Sequence, residues 1–343
     1  MATTGTAPVA VTSEISIALV GNPNAGKTTV FNAITGSHQH VGNYPGVTVE
    51  KKEGRRVVGD TSVHVVDLPG TYSLTAYSLE EVVARNFVID ERPDVVIDVV
   101  DASNLERNLY LTTQFIELGV PVVVALNMMD VAGSMGRSID IALLSELLGV
   151  PVVATVASKS EGVEDLLKVA VAVARERRPP ARDISYGREL ESHIREITEI
   201  VDAAGGLPGV PSRWVALKLL EDDGEVRSDV ESDIAGGTEL LERVRRVRAH
   251  LEAVIGDDAE LALADRRYGF INGACAEAVT STTPTAVDWT ERIDQVVTSR
   301  ILGIPIFLLL MWAMFELVFR LGAPPMGWLE SGFVALGRLV AVL

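Results

Sequence analysis

Gly21-Asn22-Pro23-Asn24-Ala25-Gly26-Lys27-Thr28 is the stretch whose reading decides the fold. It follows a short apolar run at residues 15–20 and opens a helical pattern over 27–35, so it reads as strand, tight loop and helix. The spacing fits G-x-x-x-x-G-K-[ST], in which glycines let backbone N–H groups approach phosphates and a helix N-terminus adds a favourable dipole. Lys27 is placed to hold the β- and γ-phosphates and the Thr28 hydroxyl to ligate Mg²⁺, with Thr29 next in line at the nucleotide.

The surrounding pattern agrees. Runs at 63–67, 94–101, 121–127 and 151–156 are near-continuous in Val, Ile and Ala, as strands covered on both faces are. Helical patterns lie between them at 78–90, 104–118, 139–148 and 162–175, and Gly119 and Gly149 stand just past two of these as C-caps. A strand at 47–58 is expected to pair antiparallel with 63–67 through the turn Gly59-Asp60. The expected fold class is α/β, a P-loop GTPase with a mostly parallel sheet and flanking helices. It should occupy residues 14–175, behind a loose tail at 1–13 that lacks the basic and apolar regions of a secretory signal.

Three further motifs fall at strand ends. Asp67-Leu68-Pro69-Gly70 begins 40 residues after Lys27. A carboxylate there reaches Mg²⁺ through water, and Gly70 presents its N–H to the γ-phosphate. Asn127-Met128-Met129-Asp130 fits N-x-x-D, in which the aspartate accepts from guanine N1–H and the exocyclic amine. Adenine offers no such pair, so a carboxylate left unpaired penalises ATP. Met128 stands where related motifs carry lysine, at some loss of stacking over the base. Ala157-Ser158-Lys159 follows the last strand, where a backbone N–H meets guanine O6, although the common Ser-Ala order is inverted. Thr71 replaces the glutamine that orients water in Ras-type enzymes, so intrinsic hydrolysis should be slow. These elements, in this order, specify GTP binding and hydrolysis.

The chain has 343 residues and a formal charge of −17. So acidic a protein repels phosphate backbones, and nucleic acid is not an expected partner. Arg243, Arg245, Arg246 and Arg248 are interleaved with Glu239, Glu242 and Glu252 and read as a solvated helix face. The single cysteine, Cys275, excludes an internal disulfide and reads as a small buried thiol. Residues 176–184 read as a linker, and 185–280 as an acidic all-helical domain with helices at 189–203, 211–221, 226–230, 238–254 and 259–280. Between Asp183 and Asp265 there are 20 acidic and 9 basic side chains. Within that domain His193 and His250 read as isolated surface or capping residues. Glu221-Asp222-Asp223, with Glu225, Asp229, Glu231 and Asp233, reads as a solvated loop.

A juxtamembrane linker at 281–299 is expected before a transmembrane helix at 300–321. Residues 301–319 carry one charge, Glu316, and a span needs about 20 apolar residues. Arg292 and Arg300 favour a cytoplasmic amino-terminal side, and Arg320 weakens that bias. After Pro324-Pro325, the residues Met326, Leu329, Phe333, Leu336, Val340 and Leu343 keep helical spacing. They suggest the start of a second membrane or interfacial helix at 326–343, as a piece of a longer membrane protein would show.

Val41-Gly42-Asn43-Tyr44-Pro45-Gly46-Val47-Thr48-Val49-Glu50, the motifs above and Ile301-Leu302-Gly303-Ile304-Pro305-Ile306-Phe307 together carry a resemblance. From about residue 15 to its end the chain resembles the amino-terminal part of the bacterial ferrous iron transport protein B family (FeoB). The resemblance implies the GTP-hydrolysing part of a Fe²⁺ transporter of the bacterial inner (plasma) membrane, with its GTPase and helical domains in the cytoplasm. It implies GTP/GDP, Mg²⁺ and K⁺ as cofactors, Fe²⁺ as cargo, and a small accessory subunit and a homo-oligomer as partners. Gly46, Val47 and Thr48 would lie at the nucleotide, with Thr48 joining Thr28 and Asp67 around Mg²⁺ and released on hydrolysis. K⁺ would take the Asn24 side chain and the carbonyls of Gly42 and Tyr44, and would neutralise developing charge as an arginine finger does. The catalytic set implied is Lys27, Thr48, Asn24 and Gly70. Two other readings stand beside this one: a membrane-anchored regulatory GTPase, and a cation-dependent GTPase of the RNA- or ribosome-associated class, which a basic module and no span would mark.

Overall fold

Near-continuous Val and Ile runs demand cover on both faces, and the helices between them supply it. The computed structural model describes residues 13–36, 39–44, 47–75, 78–281 and 303–320, with Val297, Ser299 and Phe333 singly. In chain order the elements are β1 (Ser13–Gly21), α1 (Lys27–Thr35), β2 (Gln39–Asn43), β3 (Glu50–Val58), β4 (Thr61–Asp67), α2 (Leu79–Asn86), β5 (Val95–Asp101), α3 (Leu105–Leu118), β6 (Val122–Asn127), α4 (Met129–Ser134), β7 (Arg137–Ile139), α5 (Ile141–Leu148), β8 (Val152–Ala154) and α6 (Val163–Glu176). A second group follows: α7 (Arg188–Ala203), α8 (Ser212–Leu220), α9 (Gly224–Asp233), α10 (Gly237–Ile255), α11 (Ala259–Ala278) and β9 (Val279–Ser281).

The sheet has seven strands in the order β2-β3-β4-β1-β5-β6-β8. β1 lies parallel to β4 and β5, and β6 parallel to β5 and β8. β3 turns back on β4 through Gly59, whose φ of +62° suits glycine, so the expected antiparallel pair is present. The strand β2 was not expected: Gln39–Asn43 is exposed throughout and carries no burial pattern. α2 runs without a break into a π-helical turn, Phe87–Glu91. α2 itself starts on a capping box in which Ser78 and Glu81 satisfy each other's amides.

One face of the sheet packs Ile17, Leu19, Val65 and Val123 against Phe31 and Ile34 of α1 and Leu166 of α6. The other face packs Ala18, Val20, Val66 and Val124 against Leu109 and Phe115 of α3. That core continues without a gap into Ile194, Ile197, Trp214, Leu217, Leu263 and Ile271 of the helical group. The described residues from Ser13 to Ser281 accordingly form one compact unit. The segment read as a linker takes part in it: Ile184 is buried, as is Tyr186 just beyond it, and the Ala181 amide donates to the Gly149 carbonyl at 2.8 Å.

Charge is buried where the helices meet the sheet domain. Arg267 of α11 bonds Glu117 of α3 through two nitrogens at 2.7 and 2.8 Å, and also pairs with Glu221. Lys218 donates to Glu221 at 2.7 Å. Burial would raise the Glu221 carboxyl, but Lys218 and Arg267 override it and bring it down to about 2. Arg85 of α2 bonds Asp223 at 2.8 Å and pairs with Glu225. The solvated-loop reading therefore fails for Glu221 and Asp223, both 4% exposed. Each is neutralised by an arginine far away in sequence. The isolated reading of the two histidines fails as well: His193 and His250 face each other across α7 and α10, with ring centroids 5.5 Å apart. The arginine face of α10 is as expected, its side chains pairing in partly solvated bridges to Glu196, Glu242 and Asp258. Cys275 is buried and unbonded.

The helical domain is not wholly helical. β9 pairs antiparallel with β7, and the Asp140 amide donates to the Ala278 carbonyl at 2.8 Å. This ribbon stitches the end of the helical group to the sheet domain.

In the second unit the helix Gly303–Arg320 has a mean hydropathy of 1.8 over 18 residues, none of them buried. By length and composition it can cross a membrane; a core helix would be covered. Glu316 pairs with Arg320 at 2.7 Å, one turn on. The tail at 1–12, Arg292, Arg300 and the apolar stretch at 326–343, save Phe333, lie outside the described residues.

Candidate nucleotide site

The motifs converge at the carboxyl ends of β1, β4, β6 and β8, where an open α/β sheet leaves loops free of packing. β1 delivers the phosphate loop at Gly21, whose added Cβ would fall 2.5 Å from the Val99 carbonyl, so only glycine fits. Asn22 and Ala25 turn their side chains inward, and Pro23 and Asn24 face out. Asn24 adopts φ +70°, a left-handed conformation that asparagine tolerates. α1 then begins after Gly26 with no side-chain cap and no acidic first turn. Its first amides are thus left to an anion. Lys27 pairs with Asp67, the last residue of β4. Burial pushes the Asp67 carboxyl above the usual range against the pull of Lys27, so a further cation beside it is favoured. Thr28 and Thr29 are exposed on the same turn.

After Asp67 the Leu68 amide donates to the Leu19 carbonyl at 2.9 Å, and the Thr71 amide to the Gly21 carbonyl at 3.2 Å. These bonds hold Asp67–Gly70 against the phosphate loop, with the Cβ position of Gly70 3.4 Å from Pro23. Pro69 is half-buried between them. Thr71 is buried and its hydroxyl donates to the Ser73 carbonyl at 2.5 Å, so it faces away from solvent.

Asn127 is the tie between the loops. Its Nδ2 donates to the Ala25 carbonyl at 3.0 Å, and its Oδ1 accepts from the Ala157 amide at 3.0 Å and the Thr155 hydroxyl at 3.3 Å. The contact explains Gly26: a Cβ there would lie 2.4 Å from Asn127 Nδ2, and φ is +87°. Met128 sits at φ +60° with its methyl 3.4 Å from the same Cβ position, so its side chain lies against the phosphate loop. Asp130 is exposed and accepts from Lys159 Nζ at 2.9 Å. The Lys159 ammonium holds the Asp130 carboxyl below the usual carboxylate range. The segment Ala157-Ser158-Lys159 is thus brought to both Asn127 and Asp130, despite its inverted order.

The ribbon before β3 is arranged differently. Gly42 lies in β2 opposite Lys51, and the Tyr44 carbonyl accepts from the Val47 amide at 3.3 Å. Tyr44 is buried against Phe87, and its hydroxyl donates to the Asp67 carbonyl at 3.4 Å. Thr48 is exposed and Val47 half-buried. Among the described residues no hydrogen bond joins Asn24 to this ribbon. Gly46 and Pro45 lie outside the described residues. Two supporting residues carry no motif signal: Thr155, and Gln114 on α3, whose Oε1 takes the Leu74 amide after Thr71. A buried glutamine on an apolar helix face was the available clue.

A family profile described as ferrous iron transport protein B matches residues 15–170, and one described as the FeoB cytosolic helical domain matches 186–280. A GDP-bound mutant of the S. thermophilus FeoB G-domain is 42% identical, with a TM-score of 0.70 over 78% of this chain and 100% of that one. The chain belongs to the ferrous iron transport protein B family. Another FeoB structure, the T. maritima cytosolic domain in apo form, is 34% identical, with a TM-score of 0.67, and aligns with 78% of this chain and 100% of its own. Among curated FeoB proteins, the Salmonella typhimurium Fe(2+) transporter FeoB is 38% identical over 94% of this chain and 41% of its own length. The Porphyromonas gingivalis Fe(2+) transport protein A/Fe(2+) transporter FeoB fusion protein is 44% identical over 95% of this chain and 39% of its own length. The chain therefore spans about two-fifths of these FeoB relatives.

Proposed function

We propose that this chain binds GTP and hydrolyses it to GDP and phosphate, as the nucleotide-driven part of a Fe²⁺ transporter. The observation that carries the reading is the Asn127 tie. One side chain fixes the phosphate loop and the Ala157 loop in a single frame, with the Asp130–Lys159 pair beside it. Asp130, held anionic, accepts the guanine edge, and the Ala157–Lys159 backbone faces O6. The backbone amides of the Gly21–Thr29 loop, led by those of Gly26–Thr29 at the start of α1, and the Lys27 ammonium bind the phosphates. Thr28 and Asp67 suit Mg²⁺, a hydroxyl and a buried carboxylate that a cation would relieve, with Thr48 closing from the ribbon. Mg²⁺ there supplies charge neutralisation on the phosphates. Gly70 is positioned by the Leu68 and Thr71 bonds to offer its amide to the γ-phosphate.

Water is not oriented by Thr71, whose hydroxyl is used internally. This supports a role for a monovalent cation held by Asn24 with the Gly42 and Tyr44 carbonyls. The Tyr44 carbonyl keeps a second lone pair beyond its bond to Val47, and Asn24 is already exposed on the phosphate loop. The fused arrangement named for the P. gingivalis relative supports a small accessory partner, and the apolar helix supports a membrane setting with the first unit in the cytoplasm. Calorimetry with GDP, GTP and ATP in Mg²⁺, followed by phosphate release in K⁺ and in Na⁺, tests the reading. Guanine nucleotides should bind at least about 100-fold tighter than ATP. K⁺ should speed turnover in the parent and not in Asn24→Ala, which should still bind GDP. Equal ATP binding overturns the nucleotide reading; full K⁺ stimulation of Asn24→Ala overturns the cation site alone.

A further inference from the structure

Away from the nucleotide site, α7 and α10 bring together a set of donors that no motif announces. Glu189 and His193 lie one turn apart on α7, and His250 reaches them from α10. Glu189 Oε1 is 3.9 Å from His193 Nε2 and 3.7 Å from His250 Nε2. One ligand atom from each of the three residues falls within 4.8 Å of the others. Donors bound to one ion at about 2.1 Å stand roughly 3.0–3.5 Å apart, so closing the set from 4.8 Å needs side-chain shifts of up to about 1.3–1.8 Å. Glu189 and His250 are each 54% exposed and free to make them, while His193, at 17%, is the fixed member.

A carboxylate already stands behind His193. The other nitrogen of His193, Nδ1, is buried without a hydrogen-bond partner and stands 3.5 Å from Glu196 Oε2. Arg243 holds that carboxylate through a 2.6 Å bond to its other oxygen. A carboxylate behind the distal nitrogen orients a ligating imidazole and fixes its tautomer. We propose that Glu189, His193 and His250 bind one first-row divalent transition-metal ion, with His193 and His250 ligating through Nε2 and Glu196 steering His193. Two imidazoles and one carboxylate with open positions are a donor set suited to Fe²⁺. The site rests on its donors and not on the nucleotide reading. The choice of Fe²⁺ among the first-row ions rests on the cargo proposed above. Bound metal clamps α7 to α10, so the cytosolic unit registers the ion it serves.

The test uses the whole chain, purified in detergent, stripped with chelator and free of nucleotide and Mg²⁺. Co²⁺ alone is titrated by calorimetry and visible absorption. We expect one equivalent to bind, and the same stoichiometry in Asp67→Asn, which separates this site from the nucleotide site. His250→Ala, an exposed change that leaves the helices packed, should weaken Co²⁺ at least about 100-fold, and Glu196→Gln by about 10-fold through the looser hold on the His193 ring alone. GDP affinity should be unchanged in both. Co²⁺ binding unaltered by His250→Ala, or absent from the parent, overturns the site. In either case His193 and His250 serve only as packing neighbours of Glu189 and Glu196.

Discussion

Replacing Asn127 with alanine isolates the contribution of the tie. The change removes the donor to the Ala25 carbonyl and the acceptor for the Ala157 amide, both at 3.0 Å, together with the 3.3 Å contact to Thr155. Asn127 and Ala157 are 3% and 4% exposed, so water cannot simply replace the lost partners. Each neutral bond contributes about 1 kcal/mol net, and a buried group left without a partner costs about 1–3 kcal/mol. A loss of about 2–4 kcal/mol in the organised site follows, equivalent to about 30- to 1,000-fold in nucleotide affinity. Alanine is smaller and adds no clash beside Gly26, so the loss reports the bonds and not crowding. The assay is GDP calorimetry in Mg²⁺, with circular dichroism to confirm that the variant remains folded. A folded Asn127→Ala protein that binds GDP within threefold of the parent would refute the tie as an organiser of the site.

Two further outcomes follow from the geometry. Gly26→Ala sets a Cβ 2.4 Å from Asn127 Nδ2 at a left-handed φ, so GDP affinity should fall at least about 100-fold; near-parent binding would show that the loop can shift without loss. Glu221, at about 2 against an ordinary 4.5, contributes about 3 kcal/mol above pH 4.5 that is lost as pH falls toward 2. Thermal midpoints of the parent should drop steeply across that window. Glu221→Gln should start lower at pH 7, because Lys218 loses its carboxylate partner and Arg267 keeps only Glu117, and fall less steeply; superimposable profiles would contradict the assignment.

What the sequence reveals of this site is local chemistry. A glycine needed for close approach and a lysine at a helix start are fixed by their neighbours in the chain, and α1 begins and ends where the pattern puts it. The Gly59-Asp60 turn and the caps at Gly119 and Gly149 are legible for the same reason, since each depends on one backbone conformation. What stays hidden depends on partners distant in sequence. Asn127 is found by its spacing, but nothing local says that its amide spans the phosphate loop and the Ala157 loop. Glu221 and Asp223 look solvated because Arg267 and Arg85 lie far off in the chain, and His193 looks isolated because His250 belongs to another helix. The strands β2, β7 and β9 are short and partly or wholly exposed, so burial writes no alternation into them.

The ribbon of β7 and β9 has a mechanical consequence. β7 begins at Arg137, only a short helix beyond Asp130, and its partner β9 ends at Ser281, where the chain leaves the first unit. Tension applied to the backbone beyond Ser281 meets that ribbon before it meets the helical bundle. The lever arm to Asp130, the carboxylate proposed above to accept the guanine edge, is one turn-and-a-half of α4, so on that proposal force and base recognition share a seam.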